Sequence, residues 1–330
     1  MNQKILITAA TGKTGYAATT ELLKAGHAVK IYVRSRNAKA VDLEKLGAEI
    51  AIGSFDNVQQ WQRALAGVKR VYYCYPMMKG MPENVPVFVR AAKEAGVEAV
   101  VFMGQRIAEF ADTGSLLTND IRTTYRLLAQ SGLPVIYFIP GYFADNAFVV
   151  TEFVLQLGFM PNPFGNGKNP WISNGDMGRC LAALLQNPAP YIGQRLFPTG
   201  PKSISPTEMA SIFGDVSGRS VRVVPSPEWL FLRAGMMLGG EYGFDAFSIV
   251  QATFYNRQMA LNRFDIAPTD VVKRLTGREP EDFLTITRQY FAKSPYRVRS
   301  LSNWFSALKK FMLMPLTPVP TPAELAALNR

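Results

Sequence analysis

Histidine and cysteine are almost missing from this 330-residue chain, which carries one of the first, His27, and two of the second, Cys74 and Cys180. A metal centre draws on spaced His, Cys and carboxylate ligands, and no such set occurs, so no metal is expected. Two thiols, one in an apolar strand-like run and one in a helical stretch, read as packed side chains in a reducing compartment rather than a disulfide framework. Long apolar runs are missing too. None reaches the ~18 residues of a membrane-spanning helix, and the N-terminus runs straight into a strand instead of a secretory signal, so the cytoplasm is the expected location. Carboxylates thin out towards the end. From residue 293 onward six Lys and Arg stand against Glu324 alone, so much of the net charge of +11 is local. With no recognisable base-reading motif beside it, that charge does not point to a nucleic-acid partner. The rest of the excess suits solubility or the attraction of an anionic ligand.

What is present begins at once. The β-branched run KILIT (residues 4–8) leads into AATGKTG (9–15) and then into a helical pattern. A strand that ends in small residues lets the backbone approach a pyrophosphate, whose charge meets the unpaired N–H groups of the next helix. Ala9, Thr11, Gly12, Lys13, Thr14 and Gly15 are therefore candidate cofactor contacts. Ala9 stands where a first glycine is expected, which a methyl group tolerates if the backbone angle there is ordinary. The second strand, within HAVKIYVRSR, ends in Arg34, and no carboxylate lies between Glu21 and Asp42. An acidic residue there would grip the ribose of NAD, whereas an arginine pairs with the 2′-phosphate of NADP. Arg34 and Arg36, with Lys13, make NADP(H) the expected cofactor in preference to NAD(H).

Further strands follow at AEIAI (48–52), RVYYCY (70–75), AVVFM (99–103) and PVIYFI (134–139), with helical stretches between them. Such alternation forces parallel strands joined by right-handed crossovers. The fold class is thus α/β, a doubly wound Rossmann sheet with ligands at its carboxyl edge. That edge would hold Phe55 and Asp56, the Tyr75, Pro76, Met77 and Met78 loop, Gly104 with Gln105, and the Pro140–Asn146 loop with Phe143. Asp56 suits the adenine amino group or, equally, an N-cap. Residues 1–146 form the expected cofactor domain, which QRLFP (194–198) rejoins within about 190–200. Residues 147–293 form a smaller substrate domain and 294–330 a tail. SPTE (205–208) has the form of a capping box, and Asn174 or Asp176 suits the cap of the helix that runs through Cys180.

Taken together, AATGKTG, VRSRNAKA, KLGAEIAIGSFDN, SGLPVIYFIPGYFADN and DVVKRLTGREPEDF resemble the NmrA-like branch of the atypical short-chain dehydrogenase/reductases over roughly residues 3–293. The resemblance implies a Rossmann domain, a smaller C-terminal substrate domain and NADP(H). It implies two kinds of activity: reduction of quinones, dyes or related unsaturated compounds, or non-catalytic redox sensing through a regulatory protein partner.

The acid–base residues depart from that pattern. Short-chain dehydrogenases pair a tyrosine with a lysine four residues later on one helix face, where the cation lowers the phenol's pKa. The only such spacing here is Tyr75 to Lys79, at a strand end and with Pro76 disfavouring helix at Tyr75. The later helix reads LLTNDIRTTYRLL, in which Asp120, Arg122 and Tyr125 are polar and none is a lysine. Tyr142 is the candidate catalytic hydrogen-bonding residue. Nicotinamide can still deliver hydride to an electron-poor acceptor, with water supplying the proton. An apolar pocket for a small conjugated substrate would draw on Met77, Met78, Phe143, Trp171, Trp229, Phe231, Met236 and Met237.

In the tail, Trp304, Leu308, Phe311 and Met312 recur at helical spacing opposite Asn303, Lys309 and Lys310, before PLTPVPTP breaks the helix. This face calls for a surface: first its own chain or a homodimer partner, and after these a peripheral contact with a membrane.

Overall fold

The computed structural model describes residues 3–110 and 113–329. Strand and helix alternate through β1 (Lys4–Thr8), α1 (Lys13–Lys24), β2 (Val29–Val33), α2 (Ala38–Lys45), β3 (Glu49–Ile52), α3 (Val58–Leu65), β4 (Val68–Tyr73), α4 (Met81–Glu94), β5 (Ala99–Met103), α5 (Leu116–Gln130) and β6 (Val135–Phe138). Next come α6 (Thr151–Leu157), β7 (Phe159–Asn162), α7 (Asn174–Gln186), β8 (Arg195–Leu196), α8 (Pro206–Ser217), β9 (Arg222–Pro225), α9 (Glu228–Leu238) and α10 (Ala246–Ala260). The chain continues through α11 (Val271–Thr276), α12 (Phe283–Lys293), α13 (Leu301–Leu313) and α14 (Pro322–Leu328).

Seven parallel strands form one sheet in the order β3-β2-β1-β4-β5-β6-β8, and β7 pairs with β9 in a small second sheet. Order reverses between β2-β1 and β4-β5, the crevice where open α/β sheets bind their ligands. Helices cover both faces, so the central strands are apolar on both sides. Leu6, Tyr73, Val100 and Phe102 face the layer that contains Trp61 and Phe88, while Ile5, Ile7, Tyr72 and Val101 face that of Leu22, Met177 and Leu181. On the second face α1 lies so close to α7 that a Cβ on Gly178 would sit 2.6 Å from that of Ala17. A third core, around Tyr142, Phe148, Phe213, Phe264 and Phe283, belongs to the segments after β6.

β1 and β5 coincide with the apolar runs in the sequence. β4 is shifted: it starts at Val68 and ends at Tyr73, because the Cys74 amide donates to the Thr8 side chain (2.7 Å) rather than to a neighbouring strand. The capping box at Ser205 and Glu208 is formed, with Pro206 in the first turn. α7 is capped by Ser173, not by Asn174 or Asp176. The Ser173 oxygen accepts from the Asp176 amide at 2.9 Å, which frees the Asp176 carboxylate to accept from the Glu281 amide at 2.8 Å.

The tail docks on its own chain, on a face that shares Phe311 with the one the apolar spacing suggested but is rotated away from Trp304 and Met312. The inward residues of α13 are Ala307, which is fully buried, and Phe311, whose ring meets those of Phe153 and Phe159. Lys310, expected on the polar side, also turns inward and pairs with Glu152 at 2.8 Å, whereas Trp304 and Met312 are exposed. Arg330, counted in the tail's charge, lies outside the described residues. No helix among the described residues is long and apolar enough to cross a membrane.

Candidate dinucleotide site and acceptor cleft

The turn after β1 is built around a tight approach of backbone to backbone. Ala9 adopts φ +48°, so its backbone angle is not the ordinary one that a methyl group tolerates freely. The left-handed conformation costs an alanine about 1 kcal/mol relative to glycine. In return the Ala9 carbonyl turns under the loop and accepts from the Gly12 amide at 2.9 Å. A Cβ at Gly15 would lie 2.4 Å from that same oxygen, so residue 15 must be glycine for α1 to start here. Thr8 ties β1 to β4, its hydroxyl donating to Cys74 O at 2.8 Å. Thr14 is buried and its hydroxyl meets Tyr72 Oη at 2.9 Å, so what it can present to a ligand is its backbone N–H. No side chain caps α1, unlike α2, α3, α5 and α7, and its first N–H groups are left for an anion.

The three bases read together from the sequence are separated in the structure. Lys13 points towards the loop after β6, with Nζ 3.5 Å from Asp145 and 5.9 Å from the centroid of Phe244. Arg36 is ion-paired with Glu44. Arg34, exposed at the end of β2, has no carboxylate partner among the described residues and remains the base open to a phosphate. Beside it Tyr32 stacks on Trp61 at 4.3 Å and donates to Ser54 O at 2.7 Å. Phe55 is buried edge-on against Tyr32, Trp61 and Tyr75. Asp56 is exposed and hydrogen-bonded by the Ser54 hydroxyl, and it is not a cap: α3 is capped by Asn57.

At the ends of β4, β5 and β6 the residues fall into three groups. Tyr75 and Lys79 share no helix. The Tyr75 hydroxyl accepts from Asn84 Nδ2 at 2.8 Å, and burial raises its pKa, while Lys79 reaches away to donate to Ala327 O at 2.8 Å. Pro76 and Met78 are half-buried and Met77 is exposed. Gly104 is buried under Tyr125, whose oxygen accepts from the Gln105 amide at 3.0 Å, and Arg122 donates to Ala108 O at 3.0 Å. These two polar side chains of α5 staple the loop after β5. At Asp120, the third polar residue of that set, burial, then repulsion from Glu83, pushes the carboxyl up to about 6.

Tyr142 does not face the cleft as a proton donor. Its hydroxyl donates to Asn256 Oδ1 at 3.0 Å inside a cage of Phe164, Trp171, Tyr255 and Phe264, and burial raises its pKa. Trp171, another pocket candidate, is buried in the same cage. Phe143 is half-buried and bridges to Ile172. Trp229, Phe231, Met236 and Met237 all lie on α9, an apolar helix with no fully buried residue, which packs against α10. Burial pushes the thiol of Cys74 up to about 11 and that of Cys180 up to about 12, which disfavours the thiolate at neutral pH.

Two participants were not singled out in the sequence. Asp145 is 7% exposed, pairs with Lys13, accepts from Asn174 Nδ2 and has its other oxygen buried without a partner. Burial and this neighbouring carboxylate together raise the Tyr290 phenol. One signal pointed to it: Asp145 is the only acid between Asp120 and Glu152, and it follows a strand at the ligand-binding edge. Asn329 closes the other end. Its Oδ1 accepts from the Leu116 amide (2.9 Å) and from Gln251 (3.1 Å), and its Nδ2 donates to Gly114 O (2.7 Å). α14 thereby bridges the loops after β4 and β5 to α10. No pattern in the sequence marks it.

A seven-stranded Rossmann sheet with a glycine turn beneath an uncapped helix defines a nucleotide-binding α/β protein. The sequence model of the NmrA-like family matches residues 1–251, and the chain belongs to that family. It is 28% identical over 220 residues to the NAD(P)H azoreductase of Xenophilus azovorans, covering 67% of this chain and 76% of that protein. Its fold matches the NADPH-dependent quinone oxidoreductase QOR2 of Escherichia coli, solved with NADPH, at a TM-score of 0.73 and 20% identity over 87% of this chain and 99% of that one. It also matches NmrA, described as a negative transcriptional regulator, at a TM-score of 0.72 and 16% identity over 88% of this chain and 95% of that one.

Proposed function

We propose that this protein is an NADPH-dependent reductase of small, apolar, conjugated acceptors of the quinone, dye or enone class. The observation that carries the reading is the pairing of an uncapped α1 N-terminus with an exposed arginine at the end of β2 that has no carboxylate partner among the described residues, one site for a diphosphate and one for a 2′-phosphate. Nicotinamide supplies the hydride when bound. The α1 amides hold the diphosphate and Arg34 the 2′-phosphate. Phe55 and the exposed Asp56 border the adenine end, while Tyr75, Pro76, Met77, Gly104 and Phe143 border the nicotinamide end. The sheet thus carries the cofactor, and residues 147–293, α9 above all, wall the acceptor. The site contains no Tyr–Lys pair on one helix face, which suits acceptors that take a hydride first and a proton from water afterwards. Two relatives named as a quinone oxidoreductase and an azoreductase support the acceptor class.

A redox-sensing role is the second reading, favoured by the same lack of an acid–base pair and by the fold shared with a transcriptional regulator. Calorimetry with each cofactor tests the cofactor assignment. Arg34→Ala should weaken NADPH by about 1.5–3 kcal/mol, the worth of a charge-assisted contact, and leave NADH nearly unchanged. Equal losses for both would remove Arg34 from the phosphate site. NADPH oxidation with a panel of acceptors separates the reductase from the sensor.

A further inference from the structure

α13 carries apolar residues on two faces. Its inner side is fixed by Ala307, by Phe311 against Phe153 and Phe159, and by the Lys310–Glu152 pair. Its outer side carries Leu301, Phe305, Leu308 and Met312, spaced by four, three and four residues, which on a helix form one straight stripe. Leu301, Phe305 and Met312 are 78%, 59% and 65% exposed, and Trp304 flanks them edge-on to Phe305 at 5.0 Å. Val298 and Leu316, which flank the helix in sequence, are exposed as well. An apolar surface of this kind, held rigidly outward, marks an interaction site rather than chance exposure.

The charge around the stripe identifies what covers it. Between Phe283 and Ala323 there is no Asp or Glu, but there are six Lys and Arg. Among the described residues only Lys310 of these is paired with carboxylates, those of Glu152 and Glu241. Arg297 and Arg299 donate to the backbone carbonyls of Ala292 and Ser217 rather than to a carboxylate, and Lys309 is exposed. A second copy of a chain with net charge +11 would bring two such basic faces together, which is repulsive. An anionic lipid surface offers apolar depth for the stripe and negative charge for its rim, and tryptophan favours that boundary.

We propose that the outer face of α13 docks this protein peripherally on anionic bilayers. The docking is independent of the activity read from the cleft. Co-sedimentation of the full chain with vesicles of equal parts phosphatidylglycerol and phosphatidylcholine, and with vesicles of phosphatidylcholine alone, tests it. Binding should require the anionic lipid and weaken with added salt. It should fall by roughly tenfold or more in Phe305→Ser/Met312→Ser, which removes exposed side chains only. Arg299→Gln/Lys309→Gln should lower the affinity and flatten its salt dependence. Absence of binding to the anionic vesicles, or binding that neither double variant alters, overturns the proposal. So does self-association in sedimentation velocity that Phe305→Ser/Met312→Ser abolishes without a matching loss on vesicles, which would give the stripe to a second copy.

Discussion

Tyr142 keeps its hydroxyl within a ring of four aromatic side chains, bonded to Asn256, and this position decides its role. Tyr142→Phe should cost about 1–2 kcal/mol of stability, because Asn256 loses a donor in a buried place, while kcat with any acceptor stays within about twofold. A large drop in kcat at unchanged stability would return Tyr142 to the catalytic set. Asp120 is the opposite case, half-buried at the cleft's edge with a carboxyl raised to about 6. An unfolded aspartate titrates near ~3.9, so between about pH 4 and 6 the native state holds more protons, and stability falls as pH rises. Asp120→Asn lacks that loss. Its Tm should gain on the parent across this window and keep the advantage above it, and parallel Tm curves would show that Asp120 is an ordinary surface acid. The turn after β1 and Arg34 could be singled out as candidates from sequence because a strand–turn–helix pattern and a strand end are local along the chain. The sequence could not show that Lys13 would turn to Asp145, a residue 132 positions away.

Among the elements, β1 and β5 were legible to the residue, since strands covered on both faces appear as unbroken apolar runs. β4 was not, because a side chain of β1 takes over its last hydrogen bond. α13 was legible as a helix but not in its docking: with apolar residues on both sides, spacing alone does not say which side meets the protein. α14 carried no signal, yet it spans the cleft's edge through Asn329 and the Lys79 contact to its last turn. Asn329→Ala should release it, with proteolysis between residues 317 and 329 quickened severalfold and the global Tm little changed, as for a locally opening segment. A cleavage rate equal to the parent's would mean that Leu328, packed on the core around Phe247, holds α14 without the asparagine.

At the scale of the whole molecule, a parallel sheet supplies one edge for a ligand, and α9, among the later helices, is apolar with no fully buried residue. An acceptor cleft walled by α9, as proposed above, suits a reaction in which the cofactor contributes the reactive atom and the protein contributes binding and exclusion of water. Whether hydride leaves the bound cofactor therefore decides between a reductase and a sensor. The most direct measurement is NADPH oxidation by the purified full chain, followed at the cofactor's absorbance band, against a panel of quinones, cationic dyes and enones, after calorimetry has established binding. Saturable turnover with at least one acceptor, faster with NADPH than with NADH, is the predicted result. Tight NADPH binding with no turnover for any member of the panel would contradict the account and leave the redox sensor in its place.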